Sequence, residues 1–261
     1  MKRNLVYISV LLLVAVASCS FTNKSFENDD KDKLLLDLIT YVLEKGHYEP
    51  KQINDDFSVS VFEDFIDVID PTKRYFLASD IAEFEQYKFQ IDDQIKNTDI
   101  TFFNIVYSRL MDRMTDAKDI YREVLKTPFD YNESESISIK YDEASFVSSK
   151  KELQERWRKQ LKYATLGTYD SKLMHAEKKN EEGVYDDHDH NAHTAEEAEV
   201  ASRKSTETTL DEFFDFVEDL ERKDWFVQYI NTIVDEFDPH TYYFAPDDKE
   251  KFDMNMSGKF E

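Results

Sequence analysis

One cysteine, Cys19, stands in 261 residues, so no intrachain disulfide can form and stability has to come from packing. Four glycines and five prolines supply far fewer turns than an all-β chain of this length needs, which excludes sandwiches and barrels. No apolar run is long enough for a comfortable membrane span; Leu5 to Val16, broken only by Ser9, is too short. Positive charge is scarce as well. Lys and Arg number 33 against 56 Asp and Glu, a formal net charge of −23. Such a surface disfavours nucleic acid and is repelled by anionic lipid headgroups. Phosphate-cradling glycine loops are missing, and the one Ser-Gly pair, Ser257-Gly258, lacks the tight turn and base that a serine nucleophile needs.

What is present begins with a leader. Lys2 and Arg3 precede the apolar run, and Val16-Ala17-Ser18 leads into Cys19, the pattern of an export signal over residues 1–18 followed by an acylated cysteine. A lone cysteine can also be a buried apolar filler, but the position directly behind a signal core favours lipidation. Residues 19–30 then read as a flexible polar linker, and the tether to the membrane is expected to be covalent rather than electrostatic. These features predict a location in a bacterial cell envelope, lipid-anchored and facing the periplasm.

Residues 31–261 predict an all-α, irregular multi-helix domain with long loops. Leu35, Leu38, Ile39, Val42 and Leu43 form one stripe, closed by Gly46. Val61, Phe62, Phe65, Ile66 and Ile69 form another, stopped by Asp70-Pro71. Ser79-Asp80 with Glu83 predicts the start of a third helix carrying Ile81, Phe84, Ile91 and Ile95. The longest pattern runs from about 100 to 126, and 129–148 reads as a loop. Ser149 with Glu152 and Thr209 with Glu212 are further capping boxes; the helix after Thr209 is expected to break near Lys223-Asp224. Residues 176–208, rich in Glu, Lys, Ser and Thr, offer few large apolar groups to offset ordering entropy and predict a disordered insert or a solvated helix.

One internal echo stands out. Asp70, Pro71, Tyr75, Phe76, Asp80 and Phe84 recur at identical offsets as Asp238, Pro239, Tyr243, Phe244, Asp248 and Phe252. Each copy ends one helix, extends over an aromatic pair and starts the next; the echo reads equally as a serviceable helix-to-helix connector. His240 follows the second proline, and a structural hydrogen bond is its plainer role. His188, His190 and His193 superficially suggest metal binding, yet a site needs ligands held convergently, so they are weak candidates only. His47 and His175 have no partner at recognisable spacing. With this many carboxylates, pairs of them carry no weight as acid–base evidence. No complete catalytic set and no cofactor site emerge.

The run Asp70 to Asp80, the Trp157 helix and above all Glu236-Phe-Asp-Pro-His-Thr-Tyr-Tyr-Phe-Ala-Pro246, followed by Phe252-x-Met254-x-Met256-Ser-Gly-Lys-Phe-Glu261, resemble the tail-specific (carboxy-terminal processing) proteases of the bacterial envelope. The resemblance covers about residues 31–261, that family's N-terminal helical domain. In relatives a PDZ domain and a peptidase core with a serine–lysine dyad follow; no residue here corresponds to them, so none is assigned a catalytic role. The resemblance implies a non-catalytic scaffold or docking domain whose partners are the PDZ and peptidase portion, protein substrates recognised by their C-terminal ends, and a helical adaptor lipoprotein. The alternative is a stand-alone helical lipoprotein that acts as a protein-interaction module.

Overall fold

The computed structural model describes residues 29–182 and 194–257. Among these, nine α-helices follow in order: α1 (Asp29–Gly46), α2 (Asp55–Ile69), α3 (Ala78–Phe84), α4 (Ile91–Lys96), α5 (Thr101–Leu125), α6 (Lys150–Glu182), α7 (Ala195–Asp219), α8 (Arg222–Asp235) and α9 (Pro246–Ser257). No strand forms among the described residues; one isolated parallel bridge joins Leu77 to Val147. The all-α class is as the composition predicts. No helix among the described residues is long and apolar enough to cross a membrane.

The apolar stripes become one continuous core. Around Tyr229 of α8 gather Phe65 of α2, Phe102 and Phe103 of α5, and Phe226, with ring centroids 5.0 to 6.1 Å from it. Farther along α5, Tyr121 stacks on Phe214 of α7 at 5.2 Å and tilts against Trp157 of α6 at 6.3 Å. One helix therefore carries both aromatic clusters, while α6 and α7 pair as a long hairpin beside it. Aromatic pairs at these separations add about 0.5–1.5 kcal/mol each beyond the area they bury.

Several helix starts follow local chemistry. Asn54 accepts from the Phe57 N–H at 3.1 Å to open α2, and Asp70 closes it before Pro71. Ser149 accepts from the Glu152 N–H at 3.3 Å, while the Glu152 carboxylate reaches back to the Ser148 N–H at 2.9 Å. Asp80 is the third residue of α3 rather than its cap: its carboxylate accepts from the Leu77 N–H at 2.9 Å. The third predicted helix is split by a 3₁₀ turn over Glu85–Tyr87 into α3 and α4. The break after α7 falls at Leu220-Glu221, where the Glu221 N–H donates to Asp224 at 2.8 Å.

Three expectations need correction. Thr209 starts no helix; it lies inside α7, where its hydroxyl bonds the Ser205 carbonyl one turn back at 3.1 Å. The insert over 176–208 is helical up to Glu182 and again from Ala195, with 183–193 outside the described residues along with His188, His190 and His193. Its return limb docks through charge instead of bulk. Glu199, buried, accepts from the Phe129 N–H at 2.9 Å and pairs with Arg203 at 2.8 Å, and Arg203 donates to the Leu125 carbonyl at 2.5 Å. Asp29 and Asp30, assigned to the linker, form the first turn of α1, where carboxylates favour the helix dipole. Residues 1–28, including Cys19, lie outside the described residues.

The first connector, residues 70–77, fixes how α2, α3 and α6 meet. Asp70 is completely buried, and its carboxylate accepts three successive backbone N–H groups, those of Arg74, Tyr75 and Phe76, at 2.8, 3.0 and 3.0 Å. Burial pushes this carboxyl above the ordinary range, while the three N–H donors and Arg74 pull it back. The carbonyls turn the other way, to α6: Thr72 accepts from Gln160 at 3.1 Å, Lys73 from Arg156 at 2.6 Å, and Arg74 from the Trp157 indole at 2.8 Å. Lys73 takes a positive φ of 51°, a conformation uncommon for a residue with a side chain. Its ammonium offsets that strain by pairing with Asp67 and sitting 4.8 Å from the Phe146 ring centre. Removing the Asp70 carboxylate leaves three buried N–H groups without a partner. Asp70→Ala is expected to cost roughly 3 kcal/mol or more, and Trp157→Phe about 1–2 kcal/mol. Urea unfolding followed by circular dichroism measures both, and an unchanged midpoint for Asp70→Ala would refute the role assigned to the carboxylate.

Candidate functional site

The second connector repeats the first in sequence but not in burial. Both open with the same turn: the Lys73 N–H donates to the Asp70 carbonyl at 3.0 Å, and the Thr241 N–H to the Asp238 carbonyl at 2.9 Å. There the likeness stops. The Asp238 carboxylate takes the nearer His240 N–H at 3.0 Å, the Thr241 hydroxyl at 3.2 Å and the His240 Nδ1 at 3.1 Å. These contacts, the His240 N–H foremost, hold its carboxyl below the usual range. Among the described residues, no helix lies over this connector as α6 lies over the first. Asn231 of α8 clamps its far end, accepting from the Tyr243 N–H at 2.8 Å and donating to the Tyr243 carbonyl at 3.2 Å.

Tyr75 and Phe76 are therefore buried in the core, whereas of their counterparts Tyr243 is partly buried and Phe244 is 42% exposed. Phe244 joins Tyr242 at 5.0 Å and Phe252 of α9 at 5.2 Å in an exposed aromatic ridge. Pro239 and His240 line a groove of about 590 Å³ between α2 and α8. Asp64, Asp67, Val68 and Asp235 form its other walls.

Two features of this region are not visible in the sequence. His47, just past α1, has a side chain only 7% exposed, packed on Phe237 and Tyr48. Its Nδ1 lies 2.9 Å from the Glu49 carbonyl, and its Nε2 faces Asp238 Oδ2 at 3.9 Å. Asp238 thus stands between two histidines. Only the fold brings His47 beside it, and no periodicity or motif links them. The second feature is Glu236, whose backbone carbonyl accepts from Lys51 and whose carboxyl lies beside that of Asp64. Burial, then the Asp64 carboxylate, pushes Glu236 up to about 7.

Chemically, the region offers charge, hydrogen bonds and exposed aromatic surface. The Thr241 hydroxyl donates to Asp238, and no hydrogen bond joins it to either imidazole, so no nucleophile–base–acid chain is assembled. Among the described residues, no group of three or more His, Cys, Asp or Glu side chains is placed to hold a metal ion.

Glu236 binds a proton on folding between its ordinary value of 4.5 and about 7. The folded state then carries more protons than the unfolded one, so this group's contribution to stability falls as pH rises through that window. The urea midpoint is expected to drop between pH 5 and pH 8, and Glu236→Gln to flatten the drop. An identical pH profile for the variant would contradict the raised Glu236 carboxyl.

Comparison with known proteins follows the same segments. The sequence profile of the family described as Tail specific protease N-terminal domain matches residues 39–247. That span contains both connectors, the aromatic core and the His47–Asp238 pair. A protein named Tail-specific protease from Haemophilus influenzae (strain ATCC 51907 / DSM 11121 / KW20 / Rd) is 24% identical over 233 residues. The alignment takes in 89% of this chain and 30% of that protein, so the chain spans under a third of its relative's length.

Proposed function

Because this chain belongs to the family of tail-specific protease N-terminal domains, we propose that it is the non-catalytic helical scaffold of a serine endopeptidase of the bacterial envelope, a protease that processes or degrades proteins from their C-terminal ends. The observation that carries this reading is the family match over 39–247 together with a relative, itself named a protease, of which the chain aligns with 30%. Peptide-bond chemistry then belongs to the PDZ and serine–lysine peptidase portion of such proteins. The geometry favours the division of labour. The first connector is tied by hydrogen bonds to Asp70 on one side and to α6 on the other, suited to bracing. The second leaves Tyr242, Phe244 and Phe252 exposed, a ridge suited to packing against that portion or against a helical adaptor lipoprotein. The same ridge favours a second reading, a stand-alone helical lipoprotein that binds an unrelated protein. Pull-down from membrane extracts separates them, since recovery of a PDZ-containing peptidase supports the first and a stable unrelated partner the second.

In this reading residues 1–18 are an export signal, and acylated Cys19 holds residues 31–261 at the membrane, facing the periplasm. The purified chain is expected to leave an unfolded protein with an apolar C-terminus uncut, as judged by mass spectrometry. Turnover abolished by substituting His47 or Asp238 would overturn the scaffold assignment. Cys19→Ala is expected to shift the protein from the membrane to the soluble fraction; unchanged sedimentation with membranes would remove the anchor.

A further inference from the structure

Helix α1 has two apolar faces. The inner one, Leu36 and Leu43, is buried in the core, and Asp32 beside it pairs with Arg222 of α8. Arg222 also reaches Asp29 at 3.1 Å and lies 5.0 Å from the Phe103 ring centre, so α1 is locked in place by groups that are themselves largely buried. The outer face carries Leu34, Leu38, Tyr41 and Val42, exposed by 67, 55, 64 and 51%. At 3.6 residues per turn these four lie within about 60° of Leu38. Elsewhere Val68, Phe89 and Ile139 stand apart, which is ordinary for a protein surface, and Tyr242, Phe244 and Phe252 form the ridge already described.

Charge on this sector is the reverse of the protein's. Lys31 and Lys45 fall on it, one at each end of the apolar stripe, and both are exposed. None of the α1 carboxylates falls within it: Asp30 and Asp37 lie at or beyond its margin, as does Glu44, whose carboxylate comes within 3.9 Å of the Lys45 ammonium. In a chain of net charge −23, a stripe with two cations and no anion is a local exception. Lysines flanking an apolar helix face, with a tyrosine at its edge, match the demands of a lipid–water interface. Lysine stems reach over apolar surface to headgroup phosphates, and tyrosine places its ring in the acyl boundary with its hydroxyl in water.

Position completes the case. Nine residues, 20–28, separate Cys19 from Asp29. Whatever their conformation, the ten steps from Cys19 to Asp29 cannot hold the start of α1 more than about 36 Å from the Cys19 backbone. We propose that the Leu34–Leu38–Tyr41–Val42 face of α1 lies in the membrane surface, a second contact that orients the domain on its bilayer. This rests on the anchoring of Cys19 proposed above. Anionic lipid repels the remaining acidic surface, so the domain settles on this face and no other.

The test places an indole on the stripe. Leu38→Trp is made in the full-length protein, which is mixed with phosphatidylethanolamine–phosphatidylcholine vesicles whose acyl chains are brominated. Native Trp157 is fully buried, and the unsubstituted protein supplies the background of both native tryptophans. The introduced indole is expected to shift to the blue and to be quenched several-fold more than that background. Leu34→Ser with Tyr41→Ser should abolish the extra quenching while the protein still floats with the vesicles; both positions are exposed, so folding is unaffected. Quenching no greater than background in protein that floats would overturn the proposal, as would concentration-dependent dimerisation removed by the same serine substitutions, which assigns the face to a second copy. Protein that fails to float defeats the anchor instead. Coupling a maleimide phospholipid to the Cys19 thiol, the only thiol of the chain, then supplies the tether, and the same quenching measurement decides.

Discussion

A single buried carboxylate holds the architecture in register. Between α2 and α3 the chain must leave one helix and enter another through a stretch whose Lys73, Tyr75, Phe76 and Leu77 are buried, so their peptide groups need partners within the protein. Asp70 resolves the donor side by gathering three N–H groups, and α6 resolves the acceptor side with Gln160, Arg156 and Trp157. Neither half works alone, since a buried backbone group left unpaired costs as much as several favourable contacts return. The α6 residues lie more than 80 positions along the chain from the carbonyls they bind. Local geometry at one turn thereby dictates where a distant 33-residue helix must pack.

The neighbouring Asp80 cluster works on the same logic with charge. Burial alone would raise its carboxyl, yet hydrogen bonds from Arg113, the Leu77 N–H and Arg109 hold it below the usual range. Two guanidinium groups from α5 thus meet the start of α3 at an almost fully buried carboxylate. The pair of connectors then shows how far one sequence pattern can diverge. Asp-Pro followed by an aromatic pair makes the same opening turn twice, but a covering helix makes the first a core element, and its absence leaves the second as surface. Tyr75 and Phe76 brace the fold, while Tyr242 and Phe244 are available to something else.

Much of this was legible in the amino-acid order. The stripes of α2, α5 and α8 were readable because a row of aromatic residues at helical spacing has few outlets other than a core. Pro71 stopped a helix where its ring forbids one, and Ser149 with Glu152 started one. Legibility failed where side chains act at a distance. Thr209 carried the signature of a helix start, yet the chain before it was already helical, because Glu199 and Arg203 supply through hydrogen bonds the docking that bulky residues usually provide. The His47–Asp238 pair lies beyond any spacing rule, since 191 positions separate its members. Asp80 was correctly placed at a helix start but as its cap, whereas the cap is Leu77, three positions earlier, a boundary error that only backbone geometry resolves.

Helix α5 deserves a last consequence. Its first turns hold Phe102 and Phe103 against α2 and α8, and its later turns hold Tyr121 against α6 and α7. A rod shared by two aromatic clusters cannot release one without loosening the other, so the domain has no seam along which half of it could melt. Amides in the middle of α5 should therefore exchange with solvent only when the entire fold opens. For a domain read as a brace, that all-or-none character keeps its two ends in a fixed relation until the whole fold opens.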